Sequence, residues 1–174
     1  MSNDNIIKFK SIIYQEMDES HGNWSTIDYR NLILNIILIK YLSERFKIKY
    51  LELVNEGNGF EEDEDEYRIE NIFYLPQESR WDNIMKNIEI EDPREIVYRA
   101  IITLKHYDPI LNGVFLPFSV IEIEKRSLKT FLYIFEEYNS DNNFESDVWL
   151  KIYKSFLDDF INLHIKCIDK YFTL

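Results

Sequence analysis

The sequence predicts an all-α protein, a compact bundle of five or six helices with a long central helix. Apolar residues recur at spacings of three and four along most of the chain, which is the helical period. The 174 residues include only four Gly and four Pro, too few for the many tight turns of an all-β protein. Because a chain of this length buries about 70% of its unfolded surface, we expect one helical domain over residues 1–174.

Two helices are predicted in the first third of the chain. Ile6, Phe9, Ile13 and Met17 form one apolar stripe, which indicates a helix at about 4–18. Residues 25–28 (STID) are a variant of the capping box, so a second helix is predicted at about 27–54. Residues 33–42 leave this helix almost no polar face, which makes it the central one. Lys40 interrupts that face and must either extend its ammonium to solvent or meet a carboxylate.

Long loops are predicted at about 56–76 and 107–122. Gly57 and Gly59 end the central helix, and the acidic run at 61–66 (EEDEDE) repels itself too strongly to pack. Asp92-Pro93 begins a helix that continues to about His106. Two more helices are predicted at 123–138 and 146–172, joined by a polar connector at 139–143.

Residues 69–85 (IENIFYLPQESRWDNIM) consist of two apolar runs on either side of a short polar segment. Pro76 ends an extended segment, and Trp81, Ile84 and Met85 then share one helix face. Trp81 is therefore predicted to anchor the core. Arg80 could form an ion pair with the acidic run, or it could contact phosphate or a partner subunit.

Charge and composition argue against several classes of protein. The net charge of −12 argues against a free-standing nucleic-acid binder, although it allows a local basic patch. The single cysteine, Cys167, cannot form an internal disulfide, and residues 1–20 lack the pattern of a secretory signal. No apolar segment approaches the roughly 20 residues that span a bilayer. We therefore expect a cytoplasmic protein without a membrane span.

No catalytic, cofactor-binding or metal-binding residue is predicted. The chain has no Gly-rich phosphate loop, no cysteine pair and no H-E-x-x-H motif. His21, His106 and His164 lack the spacing of metal ligands. The pairs Glu136-Glu137 and Asp158-Asp159 could in principle be acid and base partners, but in an acidic helical chain such pairs are usually solvated.

Several segments resemble one known family. Residues 28–30 (DYR) and 38–46 (LIKYLSERF) are similar to the EYK…FLKYISDRF helix of modification (M) subunits of type I restriction-modification systems. Residues 65–67 (DEY), 70–76 (ENIFYLP) and 78–81 (ESRW) resemble the DEY…ENVFWVPPEARW segment of the same family. The two matches occur in the family's order and are separated by a loop.

The resemblance covers about residues 5–138, which correspond to the N-terminal helical domain of that family. Residues 148–160 (VWLKIYKSFLDDF) resemble the helix that leads into the methyltransferase core. The family's GGEFYTP segment and NPP(Y/F) loop are not found in this sequence. The resemblance thus implies an accessory domain without its own site for the methyl donor or for adenine.

The family also implies partners and a cofactor. Complete M subunits transfer a methyl group from S-adenosylmethionine to adenine in DNA, in a complex of two M subunits and one specificity subunit. The helical domain helps to close this complex around DNA and contacts other subunits, so DNA binding by the isolated chain is expected to be weak. Candidate contacts to DNA or a partner are Arg45, Lys47, Lys49, Arg80, Lys125, Arg126 and Lys129.

Three other interpretations stay open at this point. In the first, the basic residues simply balance neighbouring carboxylates on solvated helix faces. The acidic composition could indicate an antirestriction-like protein that imitates DNA, although half of the net negative charge lies in one six-residue run rather than along an extended surface. A small enzyme would need a pocket with two carboxylates whose pKa values are pushed apart.

Overall fold

The computed structural model describes residues 3–19, 26–119, 123–142 and 146–172, and all regular structure in these ranges is helical. Eight α-helices and one 3₁₀ turn follow one another along the chain. They are α1 (Asn3–Glu19), α2 (Thr26–Glu56), α3 (Glu64–Ile69), the 3₁₀ turn (Gln77–Ser79), α4 (Trp81–Asn87), α5 (Pro93–Tyr107), α6 (Pro109–Asn112), α7 (Lys125–Asn142) and α8 (Ser146–Phe172).

Helix α2 is the centre of the bundle. Its 31 residues extend over roughly 46 Å, and most apolar side chains between Leu32 and Leu42 are buried. Helix α8 packs along it in the opposite direction, because Lys40 lies near Trp149 whereas Arg30 lies over the ring of Phe160. The apolar face that the sequence places on the central helix is therefore covered mainly by α8.

Helices α1, α7 and α8 enclose an aromatic core beside α2. The ring of Phe9 meets Phe135 edge-on at 5.1 Å and Trp149 at 5.8 Å, and Phe135 stacks on Trp149 at 5.5 Å. Lys10 forms an ion pair of 2.6 Å with Asp159, and the Tyr14 hydroxyl donates to the same carboxylate. Asp159, one of the carboxylates considered above as an acid or base, thus ties α1 to α8.

Three polar side chains of α2 hold the loop after α6. The Asn35 amide donates to the carbonyl of Leu116 and accepts from the N–H of the same residue, at 2.8 and 2.9 Å. Asn31 donates to the Pro117 carbonyl, and Asp28 accepts from the N–H of Ser119. Because these positions lie three and four residues apart, they share one helix face. The side-chain amide of Asn35 therefore has hydrogen-bond partners, although it is buried in a mostly apolar helix.

The all-α class and the long central helix are confirmed. Six helices of the described ranges have seven residues or more, and the five for which bounds were predicted agree with those bounds within a few residues. The sixth, α4, was predicted only as a helix face formed by Trp81, Ile84 and Met85. The polar connector at 139–143 was placed wrongly at its start, because α7 continues to Asn142. Residues 143–145 lie outside the described ranges.

Both predicted loops contain a short helix that the sequence analysis missed. Asp63 caps α3 by accepting from the N–H of Asp65, and the carboxylates of the acidic run then occupy the first turn, where the helix dipole favours negative charge. Self-repulsion therefore did not prevent folding of residues 64–69. Asp108-Pro109 begins α6 by the same rule that Asp92-Pro93 follows at α5, so this signal was available in the sequence.

Candidate functional site

The polar segment between the two apolar runs places Arg80 in an aromatic box. Its guanidinium lies over the rings of Phe46, Tyr50 and Tyr74, with the centroids at 4.4, 5.6 and 5.7 Å. Two of its nitrogens donate to Glu62 at 2.9 and 2.6 Å, and Nε donates to the Leu75 carbonyl. The prediction of an ion pair between Arg80 and the acidic run is confirmed.

The Arg80 box, defined by Phe46, Tyr50, Tyr74 and Glu62, joins three separate segments. Hydrogen bonds from Arg80 and Tyr74 hold the pKa of the Glu62 carboxyl below its usual value. Burial and the hydrogen bond to Glu62 raise the pKa of Tyr74 to about 12. Glu62 is therefore ionised and Tyr74 neutral at ordinary pH. The box thus connects α2 to the start of the acidic run and to the residues that lead into α4.

Lys40 occupies a second box of similar chemistry. Its ammonium group lies 3.1 Å from Glu44, 3.4 Å from Glu136 and 4.5 Å from the centroid of Trp81. The side chain is 1% exposed. The alternative in which Lys40 reaches solvent was wrong, since the surrounding helices close over it, and the carboxylate alternative was right.

Trp81 is a core residue, as predicted, with 2% of its surface exposed. Its indole Nε1 donates to Glu136 at 2.6 Å, and its backbone N–H donates to the Ser43 hydroxyl. The buried Ser79 hydroxyl donates to the Ala100 carbonyl of α5. Sequence analysis missed both serines, because neither Ser43 inside a helix nor Ser79 in a turn shows any local sign of its burial. Residues 76–81 therefore form a turn, and hydrogen bonds to α2, α5 and α7 hold this turn in place.

The predicted contact residues do not form one basic patch. Lys47, Lys49 and Lys129 form ion pairs with Asp82, Glu70 and Glu89, at 2.8, 2.5 and 2.5 Å. Arg45 donates to the hydroxyl of Tyr41. Lys125 and Arg126 are exposed at the start of α7, and no carboxylate lies within ion-pair distance of either in the described part of the chain. Among the candidates, Lys125 and Arg126 combine exposure with the lack of an ion-pair partner in the described ranges.

The two ends of α5 differ strongly in charge. Residues 52–70 run from the last turn of α2 through α3, which meets Tyr107 at the end of α5, and they contain nine carboxylates and one cation. Residues 89–99 and 124–129, near its start, contain five carboxylates and five cations, including Lys125 and Arg126. Asp92 and Arg94 pair here, and the pKa of Asp92 is lowered to about 2 by the hydrogen bonds from Arg94. Fifteen helical residues separate the ends, which is roughly 22 Å.

An open cleft of about 340 Å³ lies between α3 and the junction of α5 and α6. Aromatic rings of Phe73, Tyr74 and Tyr107 form part of its wall, and the rings of Tyr74 and Tyr107 lie 5.7 Å apart. Burial and a hydrogen bond to Glu64 raise the pKa of the Tyr107 hydroxyl. Glu64, Arg68 and Asp108 supply its charged groups. We name this cavity the α3–α5 cleft.

Other kinds of site are not found among the described residues. No group of three His, Cys, Asp or Glu side chains there could hold a metal ion. None of the helices in those ranges combines the length and apolar character needed to cross a membrane. His106 is exposed on α5, whereas His21 and the side chains of His164 and Cys167 lie outside what the structure describes.

These features define an all-helical domain in which the buried Lys40 and the half-buried Arg80, each enclosed by aromatic rings and at least one carboxylate, hold the central helix to its neighbours. The sequence matches the family described as HsdM N-terminal domain over residues 18–147. Because this match covers most of the chain, the protein belongs to that family, the N-terminal helical domain of type I restriction-modification M subunits.

A curated relative supports the same assignment. The chain is 23% identical over 184 aligned positions to a protein named type I restriction enzyme MjaIX methylase subunit, from Methanocaldococcus jannaschii. The alignment covers 95% of this chain and 33% of the relative. The chain therefore spans about a third of the length of that methylase subunit.

Proposed function

We propose that this chain is an accessory domain that helps a type I methylase subunit to close around DNA and to assemble with a specificity subunit and a second M subunit. The observation that carries this proposal is the family match over residues 18–147. The segments with the strongest family resemblance, residues 38–46 and 70–81, come together in the Lys40 and Arg80 boxes. The motif residues in these two boxes therefore maintain the fold. Contacts with DNA or partner subunits would be made by exposed residues outside the boxes.

The start of α7 is the surface best suited to DNA. Lys125 and Arg126 are exposed there, and the surrounding charges balance. The opposite end of α5 would repel phosphate, because residues 52–70 carry nine carboxylates. Two or three phosphate contacts give only weak, salt-sensitive binding. Useful affinity would come from tethering this domain to a methyltransferase core, which raises the effective concentration of DNA near it.

The methylation chemistry would reside in that core. S-adenosylmethionine would bind there, since this chain contains neither the GGEFYTP segment nor the NPP(Y/F) loop of the family. Work on DNA in a type I complex also implies a cytoplasmic location. We infer both the place of cofactor binding and the cytoplasmic location from the family assignment.

The test uses a methylase subunit that carries this domain, with the double variant Lys125→Gln/Arg126→Gln. If these side chains contact phosphate, the slope of log K for DNA against log salt should fall by about 2. Lys151→Gln/Lys154→Gln is a matched control, because it removes the same charge from two exposed lysines on α8. Assembly with the specificity subunit is measured in parallel by co-purification.

An unchanged salt slope in the α7 variant would remove this face from DNA binding. A subunit that lacks residues 1–142 but still assembles and binds DNA like the parent would overturn the accessory role as a whole.

A further inference from the structure

We propose that the α3–α5 cleft binds an arginine side chain of a partner protein. This inference rests on the proposed role in assembly, and it adds the place of contact and the chemistry of the partner. It starts from a repetition in the structure: the kinds of group that surround Arg80 recur in the open cleft, which shares Tyr74 with the Arg80 box.

The two sites share Tyr74. Its ring lies 5.7 Å from the Arg80 guanidinium and 5.7 Å from the ring of Tyr107 in the α3–α5 cleft. The Arg80 box combines three aromatic rings with a carboxylate, Glu62. The cleft combines Phe73, Tyr74 and Tyr107 with the carboxylates of Glu64 and Asp108. It therefore repeats the kind of environment that already encloses one guanidinium in this molecule.

Charge selects a cation for the cleft. Residues 61–66 are all acidic, and Glu64 within this run lines the cleft. Arg68 also lines it: its guanidinium is 73% exposed, pairs with Asp65 at 2.9 Å and lies 3.8 Å from Glu64. Its closer pair is therefore with Asp65, and an arginine that enters the cleft would share Glu64 with it. Phosphate would meet a strongly negative potential here, so DNA is excluded as the occupant.

Shape favours arginine over lysine. A guanidinium is planar, stacks on aromatic faces and donates two parallel hydrogen bonds to one carboxylate. The cleft of about 340 Å³ is open to solvent and large enough to admit a long side chain from outside. Ile110, 67% exposed, is an apolar residue of the lining that can contact the methylene groups of that side chain.

The experiment titrates the 174-residue chain, labelled with ¹⁵N, with the blocked tripeptide Gly-Arg-Gly and follows the amide signals by NMR. Saturable shifts are expected for residues 64–74 and 104–110, with a dissociation constant of about 1 mM, since a single side chain makes few contacts. Replacement of arginine by its neutral isostere citrulline should weaken binding about tenfold, and Gly-Lys-Gly should also bind less tightly.

Variants of the chain separate the cleft from the general acidity of the segment. Glu64→Gln should weaken Gly-Arg-Gly binding severalfold, whereas Glu66→Gln removes the same charge from a residue outside the lining and should have little effect. Tyr107→Ala should weaken binding as well. Tyr98→Ala on the exposed face of α5 is its control, and Tyr107→Phe keeps the ring if the alanine variant fails to fold.

Equal affinity for the arginine, lysine and citrulline peptides would overturn the proposal. So would equal losses in Glu64→Gln and Glu66→Gln, because the binding would then be a property of the whole acidic run. Shifts of the cleft signals by a short DNA duplex would also contradict it. None of these results would bear on the role of Lys125 and Arg126 in DNA binding, which is tested separately.

Discussion

Lys40 and Arg80 show how single residues hold this protein together. A buried cation loses its hydration, which costs several kcal/mol unless other groups replace the water. Two carboxylates and two indole rings surround Lys40, and one carboxylate and three phenyl or phenol rings surround Arg80. Each cation therefore links the elements that supply its partners, α2, α4, α7 and α8 around Lys40 and α2 with the segment 62–74 around Arg80.

Among the residues around Lys40, Trp81 is the one whose replacement should lower the stability of the protein most. Trp81→Ala removes a side chain with 2% exposure, one wall of the Lys40 box and the donor to Glu136. We expect the free energy of unfolding to fall by about 3–5 kcal/mol. Urea denaturation measures this, with Tyr98→Ala as a control on an exposed aromatic residue. Equal stability of Trp81→Ala and the parent would refute its place in the core.

At the level of elements, α3 explains how an acidic run can be part of the fold. The carboxylates of the acidic run have three roles. Asp63 caps α3, and the next three lie in its first turn, where the helix dipole stabilises negative charge. Glu62, before the cap, forms the ion pair with Arg80. Tyr67 of the same helix is fully buried and stacks on Phe46 at 4.8 Å. Tyr67 thus attaches α3 to α2, and without it the charged residues of this segment would favour solvent.

This attachment should depend on pH. The folded protein holds the pKa of Glu62 below that of a free glutamate, about 4.3. The ion pair therefore contributes fully above that value and is lost as the pH falls through the lower folded pKa. In Glu62→Gln, we expect the free energy of unfolding to decrease less between pH 5 and 3, roughly, than in the parent.

Glu66→Gln is the matched control for this measurement, because it neutralises a carboxylate of the same acidic run that is not part of the Arg80 box. Denaturation curves at several pH values give the comparison. If Glu62→Gln and the parent lose stability in parallel, the Arg80 box does not contribute to the acid sensitivity of the fold.

For the whole molecule, the distribution of charge is the feature most relevant to function. The net charge of −12 is concentrated near the end of α5, where residues 52–70 contribute −8, whereas the start of α5 is neutral. Long-range repulsion thus acts at one end only. This division allows one end to approach DNA while the other meets a cationic protein surface, as the two proposals require.

The isolated chain is expected not to bind S-adenosylmethionine. Titration calorimetry with the cofactor should give no saturable heat, since the family's donor segment is not in the sequence. Glycine-rich donor segments normally provide the close backbone approach that such cofactors need. Binding at micromolar concentration would point to a cofactor site elsewhere in the domain and would revive the enzyme interpretation.

Sequence alone determined the helices and their family. Spacing of apolar residues, Asp-Pro caps and glycines are local signals, and they placed α1, α2, α5 and α8 within a few residues of their bounds. The ion pair of Arg80 with the acidic run was one of two uses that the sequence left open for this residue, and the structure shows that it forms. Motif order in residues 28–81 was enough to indicate the family, which the comparison confirmed.

Only the tertiary structure decided which charges are buried and which are free. Lys47, Lys49 and Lys129 looked like surface cations, yet each is paired with a carboxylate 21 to 40 residues away in the chain. Likewise, nothing local to Tyr107 shows that α5 brings it beside Tyr74 to form the α3–α5 cleft. Such pairings depend on how helices cross, and that is set by the packing of the whole core rather than by the residues nearby in sequence.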